Sequence, residues 1–277
     1  MKKMILSCLL AASFSALAVE GEYSPAFSKD GQFISYHVNN QQATWDVMIQ
    51  NLQTGEKLQV TKSKAMDVDT TWSPDGNEIA FTSNRSGQWD LYIYNLKSKQ
   101  TRLLDTNETR DIKPIWSPDG KSLAFTSNRE DQLQQLYLYD FETNKTKRLS
   151  FTDKSIGHPS WSQDGKKIIF EQWFEKKSAI YSLTLKTKKV EKLYQAKGNV
   201  YAGRLINDQL VVADNSSGNW DLVKVDLTTG KDEFLIKTPL DEDKTGVDYQ
   251  RKLVAVAQDD ERRVTQIKIY SFEQLGL

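Results

Sequence analysis

From Phe27 onward the chain alternates short apolar runs with polar turns, and the runs recur in a fixed order. An aromatic residue and an Asp-Gly turn lead into a first run, at Phe33 to Tyr36, Ile79 to Thr82, Leu123 to Thr126 and Ile168 to Phe170. A second run follows each, at Asp46 to Leu52, Asp90 to Leu96, Leu136 to Phe141 and Ala179 to Leu185. A polar turn such as Gln53-Thr54-Gly55 or Glu142-Thr143-Asn144 then precedes a last short run, as at Lys57 to Thr61, Thr101 to Leu104 or Lys147 to Ser150. Runs this short, rich in β-branched and aromatic residues and bounded by turn residues, predict strands. Strands this close in sequence pair as antiparallel hairpins. Counting the strand that carries the aromatic, each unit has four.

The units repeat. Phe27-Ser28-Lys29-Asp30-Gly31, Trp72-Ser73-Pro74-Asp75-Gly76, Trp116-Ser117-Pro118-Asp119-Gly120 and Trp161-Ser162-Gln163-Asp164-Gly165 begin at intervals of 45, 44 and 45 residues. Asn215-Ser216-Ser217-Gly218-Asn219-Trp220-Asp221 echoes Asn84-Arg85-Ser86-Gly87-Gln88-Trp89-Asp90 at a distance of 131, so Val200 to Lys237 reads as a fifth copy without its Asp-Gly turn. Leu253 to Ala257 and Val264 to Tyr270 supply strands two and three of a sixth. Four short strands at a period of about 40 to 50 residues close radially into a β-propeller. The expected fold is therefore all-β, a single six-bladed propeller of four-stranded antiparallel blades over residues 19–277, preceded by a signal peptide at 1–18. The repeated residues have structural work to do. Gly76, Gly120 and Gly165 accept the positive φ of a tight turn, and Asp75, Asp119 and Asp164 can bond their own backbone. Trp72, Trp116 and Trp161 are expected to pack between neighbouring blades, where a large ring buries much area.

Pro-x-Trp-Ser-Pro-Asp-Gly, a strand ending in Phe-Thr-Ser-Asn-Arg, a Gly and Asp-Leu-Tyr together resemble the PD40 or TolB-like propeller repeat, nearly complete in Thr70 to Tyr92 and Lys113 to Tyr137. Copies one and four match in part, and five and six mainly through their middle strands. The Trp-Asp pairs at 45, 89 and 220 open the third strand rather than end it, which disfavours a WD40 reading. The resemblance implies a periplasmic binding role of the kind TolB fills for the lipoprotein Pal. Only eight residues separate the predicted cleavage site from Phe27, so the separate N-terminal domain of TolB is not expected, and only propeller-type binding carries over. In such blades the loops after the second and fourth strands meet on one face around the channel, and the Asp-Gly turns lie on the other. The first face carries the candidate site. Ser24, Asp69, Lys113 and His158 stand three residues before each aromatic, and Glu22, Asp67, Asp111 and Ile156 five before. Asn84-Arg85, Asn128-Arg129, Gln172-Trp173 and Asn215-Ser216 follow the second strands. The bland reading is a set of solvated loops. The functional one is a partner-binding ring of Asp67, Asp69, Arg85, Asp111, Lys113, Arg129, His158 and Trp173, since Arg and Trp are favoured interface anchors.

Composition narrows the partner. The 277 residues carry 37 Lys and Arg against 37 Asp and Glu, so no basic footprint for nucleic acid is present. Met1-Lys2-Lys3, the apolar stretch Met4 to Leu17 and Ala16-Leu17-Ala18 predict a secretory leader cut after Ala18. Its apolar length falls short of the roughly 20 residues that span a bilayer, so no stable membrane insertion is expected. Cleavage removes Cys8, the only cysteine, and with it any disulfide. A periplasmic location and a monomer are expected.

Catalysis finds little support. No Gly-x-Ser-x-Gly elbow, His-Glu-x-x-His pair or phosphate loop occurs. His37, expected in a second strand, and His158, expected in a channel-side loop, are too few and too separate for a shared metal site. Asp67-Val68-Asp69 and Asp241-Glu242-Asp243 offer the oxygen ligands Ca²⁺ takes, though such runs are more often solvated, and no cofactor is expected. The leading function is a non-catalytic protein interaction module binding an envelope protein or lipoprotein. The alternative is a carbohydrate- or ligand-acting, lyase-like, Ca²⁺-dependent propeller enzyme using channel-face carboxylates. Only seven residues follow Tyr270, so the sixth blade either has three strands or is completed by Val19 to Tyr23.

Overall fold

A computed structural model describes residues 21–40, 44–105, 108–175, 177–207, 209–239, 241–260 and 264–277. The predicted leader lies outside them. Each blade is an antiparallel meander whose strands stack in chain order. Blade one is β1 (Glu22–Phe27), β2 (Phe33–Asn40), β3 (Thr44–Asn51) and β4 (Lys57–Gln59). Blade two is β5 (Asp67–Trp72), β6 (Glu78–Ser83), β7 (Asp90–Asn95) and β8 (Gln100–Leu103), and blade three is β9 (Asp111–Trp116), β10 (Ser122–Ser127), β11 (Gln135–Asp140) and β12 (Lys145–Arg148). Blade four is β13 (Ile156–Trp161), β14 (Lys167–Phe174), β15 (Lys177–Thr184) and β16 (Val190–Tyr194), and blade five is β17 (Val200–Ile206), β18 (Gln209–Asp214), β19 (Asp221–Asp226) and β20 (Asp232–Ile236). Among the described residues the sixth has three strands, β21 (Glu242–Asp248), β22 (Leu253–Asp259) and β23 (Thr265–Ser271), then a helical turn, α1 (Phe272–Leu275).

The Asp-Gly turn forms for local reasons. Ser73 Oγ donates to Asp75 Oδ1 at 2.6 Å and accepts from Glu78 N at 2.9 Å, while Asp75 Oδ1 also accepts from Asn77 N at 3.1 Å. Gly76, at φ 74°, closes the turn onto Ser73 O at 2.9 Å. The Ser117 to Asp119 and Ser162 to Asp164 bonds repeat it at 2.6 and 2.7 Å. These bonds favour the carboxylate: Asp75 and Asp119 are held below the usual range by their serine hydroxyls, and Asp164 is lowered to about 2 by Ser162. Blade five turns differently, through Asn207 after Ile206, but its other hairpin keeps the repeat. Ser217 bonds Asp221 just as Ser86 bonds Asp90.

The core lies between blades rather than within them. Ile93 and Leu91 of blade two meet Trp116, Leu123 and Phe125 of blade three, and Leu138 and Leu149 of blade three meet Ile168 and Phe170 of blade four. Similar clusters join the remaining neighbours, including Phe27, Ile34 and Tyr36 of blade one with Ala255 and Ile267 of blade six, so the ring is closed. Trp72 and Trp116 are buried at these seams, as expected, and the indole N–H of Trp72 and of Trp161 reaches the preceding blade at Ala26 O (3.1 Å) and Ile115 O (3.2 Å).

Among the described residues no strand is shared between the two ends, and Val19 and Glu20 of the segment expected to complete blade six lie outside them. Glu22 and Tyr23 belong to β1 and pair with Val38 and His37 in blade one, so they do not complete blade six. The seam is held by packing and by Arg251, whose Nη1 donates to Gly31 O. It is close-fitting, since a Cβ on Gly246 would lie 2.4 Å from Pro25 O. Phe272 and Leu275 of α1 bury themselves among Ile206, Val211, Leu222, Val254 and Val256, at the joint between blades five and six.

Candidate functional site

The first strand of each of the first five blades carries a bulge against its neighbour. The residue inside it adopts left-handed backbone: Ser24 (φ 52°), Asp69 (54°), Lys113 (57°), His158 (38°) and Ala202 (54°). A bulge re-aims one side chain while the strand continues. All five line an axial cavity of about 530 Å³, whose wall descends through Thr70, Arg204 and Tyr249 to Ser73 and Pro74 at the Asp-Gly turns. The expectation that placed His158 on a loop is therefore corrected. His158 lies within β13, as Asp69 lies in β5 and Lys113 in β9, because the bulge lets an ordinary strand position turn toward the channel.

Two of these residues meet. Lys113 Nζ stands 2.6 Å from His158 Nε2, and His158 Nδ1 stands 2.7 Å from Glu171 Oε1. With an ammonium at Nε2, that nitrogen accepts and Nδ1–H donates to the carboxylate, which fixes the tautomer. The indole N–H of Trp173 donates to the same Glu171 oxygen at 2.9 Å. Burial works against ionising Glu171, but the imidazole, the Lys113 ammonium and the indole N–H outweigh it and hold the carboxyl below its usual range. Glu171 is 1% exposed and its Oε2 has no hydrogen-bond partner. Gly157 makes the room, for a Cβ there would lie 2.4 Å from Glu171 Oε1. The sequence did not single out Glu171. It stands one blade on from Thr126 and two from Thr82, as the strand registers show, and that break in the period is the signal that would have found it.

The other predicted residues serve their own blades. Arg85 donates to buried Asp67 at 2.9 Å and lies over the rings of Phe81 and Tyr92. Arg129 does the same with Asp111 at 2.7 Å and with Phe125 and Tyr137, adding Asp105 at 3.1 Å. A guanidinium stacked on rings and paired with a buried carboxylate fastens the hairpin between the second and third strands to the first strand. Asp67 engages its second oxygen with Ser63 at 3.2 Å, and Asp241 accepts from Trp220 N at 2.9 Å, while the side chain of Asp243 lies outside the described residues. His37 sits in β2 as expected, its Nδ1 accepting from Asp69 N at 3.4 Å. Among the described residues no three His, Cys, Asp or Glu side chains gather as a metal-holding group.

On the loop face, Trp173 stays 38% exposed and Phe151, which the sequence reading passed over, 77%. Phe151 follows β12 beneath the guanidinium of Arg148, 4.8 Å from its ring centre, and the hairpin bearing Trp173 is tied to the same connection by Trp173 N and Ser155 O at 3.2 Å. Trp173, expected in the loop after the second strand, lies inside β14, because the β14–β15 hairpin stays paired out to Phe174 and Lys177; with Phe151 it leaves two large aromatics exposed where blade three gives way to blade four.

Residues 19–200 match the family model described as PD40, the TolB beta propeller domain. Among solved structures, TolB from Acinetobacter baumannii is similar over 74% of this chain and 52% of its own, at 24% identity and a TM-score of 0.66. The chain thus spans about half the length of that protein. A putative TolB from Agrobacterium tumefaciens is similar over 90% and 80% at 19% identity, TM-score 0.61. An oligogalacturonate lyase from Vibrio parahaemolyticus is similar over 90% and 77% at 14% identity, TM-score 0.61. No curated protein sequence matches the chain.

Proposed function

We propose, on the premise that the chain belongs to the TolB beta propeller domain family, that it is an exported, non-catalytic binding module of the cell envelope that holds a protein partner on its loop face. Exposed Phe151 and Trp173 carry this reading, because large aromatics left in contact with water beside an ordered polar network are what interface anchors look like. Arg85 and Arg129, occupied inside their blades, form the rigid support rather than the contact. The reading asks for no resident cofactor. Among the described residues no helix is long and apolar enough to cross a membrane, which is compatible with a periplasmic protein released from its leader.

The chain Lys113, His158, Glu171 favours a second reading. An imidazole oriented by a buried carboxylate and lining a cavity would serve as a general base for a carbohydrate or other small ligand that draws the Lys113 ammonium away and frees Nε2. One pair of variants separates the two. Phe151→Ala with Trp173→Ala should abolish recovery of the protein partner from an envelope fraction, while His158→Ala should leave that partner bound. Unchanged recovery from the aromatic double variant, or saccharide turnover that His158→Ala removes, overturns the binding reading.

A further inference from the structure

In the first five blades the third strand is covered on its outer side. The carbonyls of Val47, Leu91 and Leu136 accept from Val60, Leu104 and Leu149 at 2.8, 2.9 and 2.7 Å. The strand registers place Ile267 at the same position in blade six. Among the described residues no strand lies outside β23. After Ser271 the chain turns into α1, which buries Phe272 and Leu275 at the joint with blade five instead of returning along the edge. Ile269 and Tyr270 are half-buried, where their counterparts Ile93 and Tyr94 are 0% and 7% exposed. An uncovered edge is a template for pairing.

The repeat spacing finds no position for a fourth run between the predicted cleavage site and Phe27. The last run of blade one, Lys57 to Thr61, lies 15 to 11 residues before Trp72 of blade two, and the same offset from Phe27 falls on residues 12–16, inside the predicted leader. The edge also has a charge of its own. Facing the outer strand, blades one to five present Met48, Tyr92, Tyr137, Tyr181 and Val223, and at that position blade six presents Lys268. Two copies paired edge to edge about Lys268 would set like charges opposite one another, which destabilises a sheet, whereas a carboxylate opposite it stabilises one.

We propose that β23 is a docking edge that takes a β-strand from a partner protein, with an acidic side chain opposite Lys268, and so completes the sixth blade. The proposal rests on removal of the leader and not on the aromatic loop face, so either can fail without the other. In blade two the residue opposite the position of Lys268 is Leu103. The probes are therefore peptides of residues 98–105 carrying L103E or L103K, titrated into the chain of residues 19–277 while the amide signals of β23 are followed by NMR. The L103E peptide should shift Ile267 to Ser271 and bind about fivefold more tightly than L103K, the range expected of a cross-strand charge pair. In the Lys268→Glu protein the preference should reverse. Failure of both peptides to move β23, equal affinities, or an unchanged preference in Lys268→Glu overturns the proposal. So does a dimer in solution through β23, or protection of β23 by residues 12–16 in a chain that has had its leader and lost none of it.

Discussion

In blade two, β7 is held between β6 and β8, and Leu91, Ile93 and Tyr94 are all buried. In blade six, β23 pairs among the described residues only with β22; Ile267 stays 5% exposed, but Ile269 and Tyr270 open to half-burial. The fourth strands bury little of themselves, every residue of β4 and β8 being exposed. Their contribution is cover for the third strand, which pairs with them along most of its length. The third strand of blade six thus stays buried at Ile267 and opens from Ile269 on, where the other blades have a fourth strand beside it.

That contrast can be broken by paired substitutions. Ile93→Ala should cost about 2–5 kcal/mol, as large-to-small changes at fully buried sites do, and Ile269→Ala about 1 kcal/mol or less, both by denaturant unfolding. Equal costs would mean that the rim of blade six is covered after all. Glu171→Gln tests the inner part of blade four, and loss of its charged bonds should cost about 1.5–3 kcal/mol at neutral pH. Because the folded-state pKa is lowered, this stabilisation is present above the ordinary glutamate value and fades as pH falls through the folded one. The gap between wild type and Glu171→Gln should therefore close in acid, and a gap that persists there would remove the charge as its cause.

Smaller effects probe the seam. Gly246→Ala forces a Cβ onto the Pro25 carbonyl and should cost about 1–3 kcal/mol in thermal melts. Gly76→Ala meets nothing within 4 Å and should lose only the left-handed preference, about 1–2 kcal/mol. A seam that yields would bring the two together. Least of all, Ser73→Ala should cost about 1 kcal/mol and move the Asp75 titration upward by NMR, since the serine hydroxyl is what lowers it.

The blades were legible because the same turn recurs every 44 or 45 residues, and composition at Ser73, Asp75 and Gly76 states its own hydrogen bonds. Strand edges shifted by a residue or two, as when the run at Ile79 to Thr82 became Glu78–Ser83, because backbone pairing extends past the apolar core of a run. The site was half legible. The register identified Ser24, Asp69, Lys113 and His158 as a set, but nothing in four different side chains announces a shared left-handed bulge. Arg85 and Arg129 look like free anchors in sequence, since the carboxylates that hold them, Asp67 and Asp111, stand 18 residues away. Glu171 was hidden for the same reason: it acts across a strand pair, and only a comparison of blades would show that Thr82 and Thr126 had become an acid.

The five left-handed positions have a consequence for how such a ring diversifies. Ser24, Asp69, Lys113, His158 and Ala202 share a backbone shape and nothing else, so the fold dictates where the side chain goes but not what it is. Duplicated units can then drift apart at one codon each, altering what the channel presents while leaving every strand pairing in place. Specificity and foldability are inherited on separate residues.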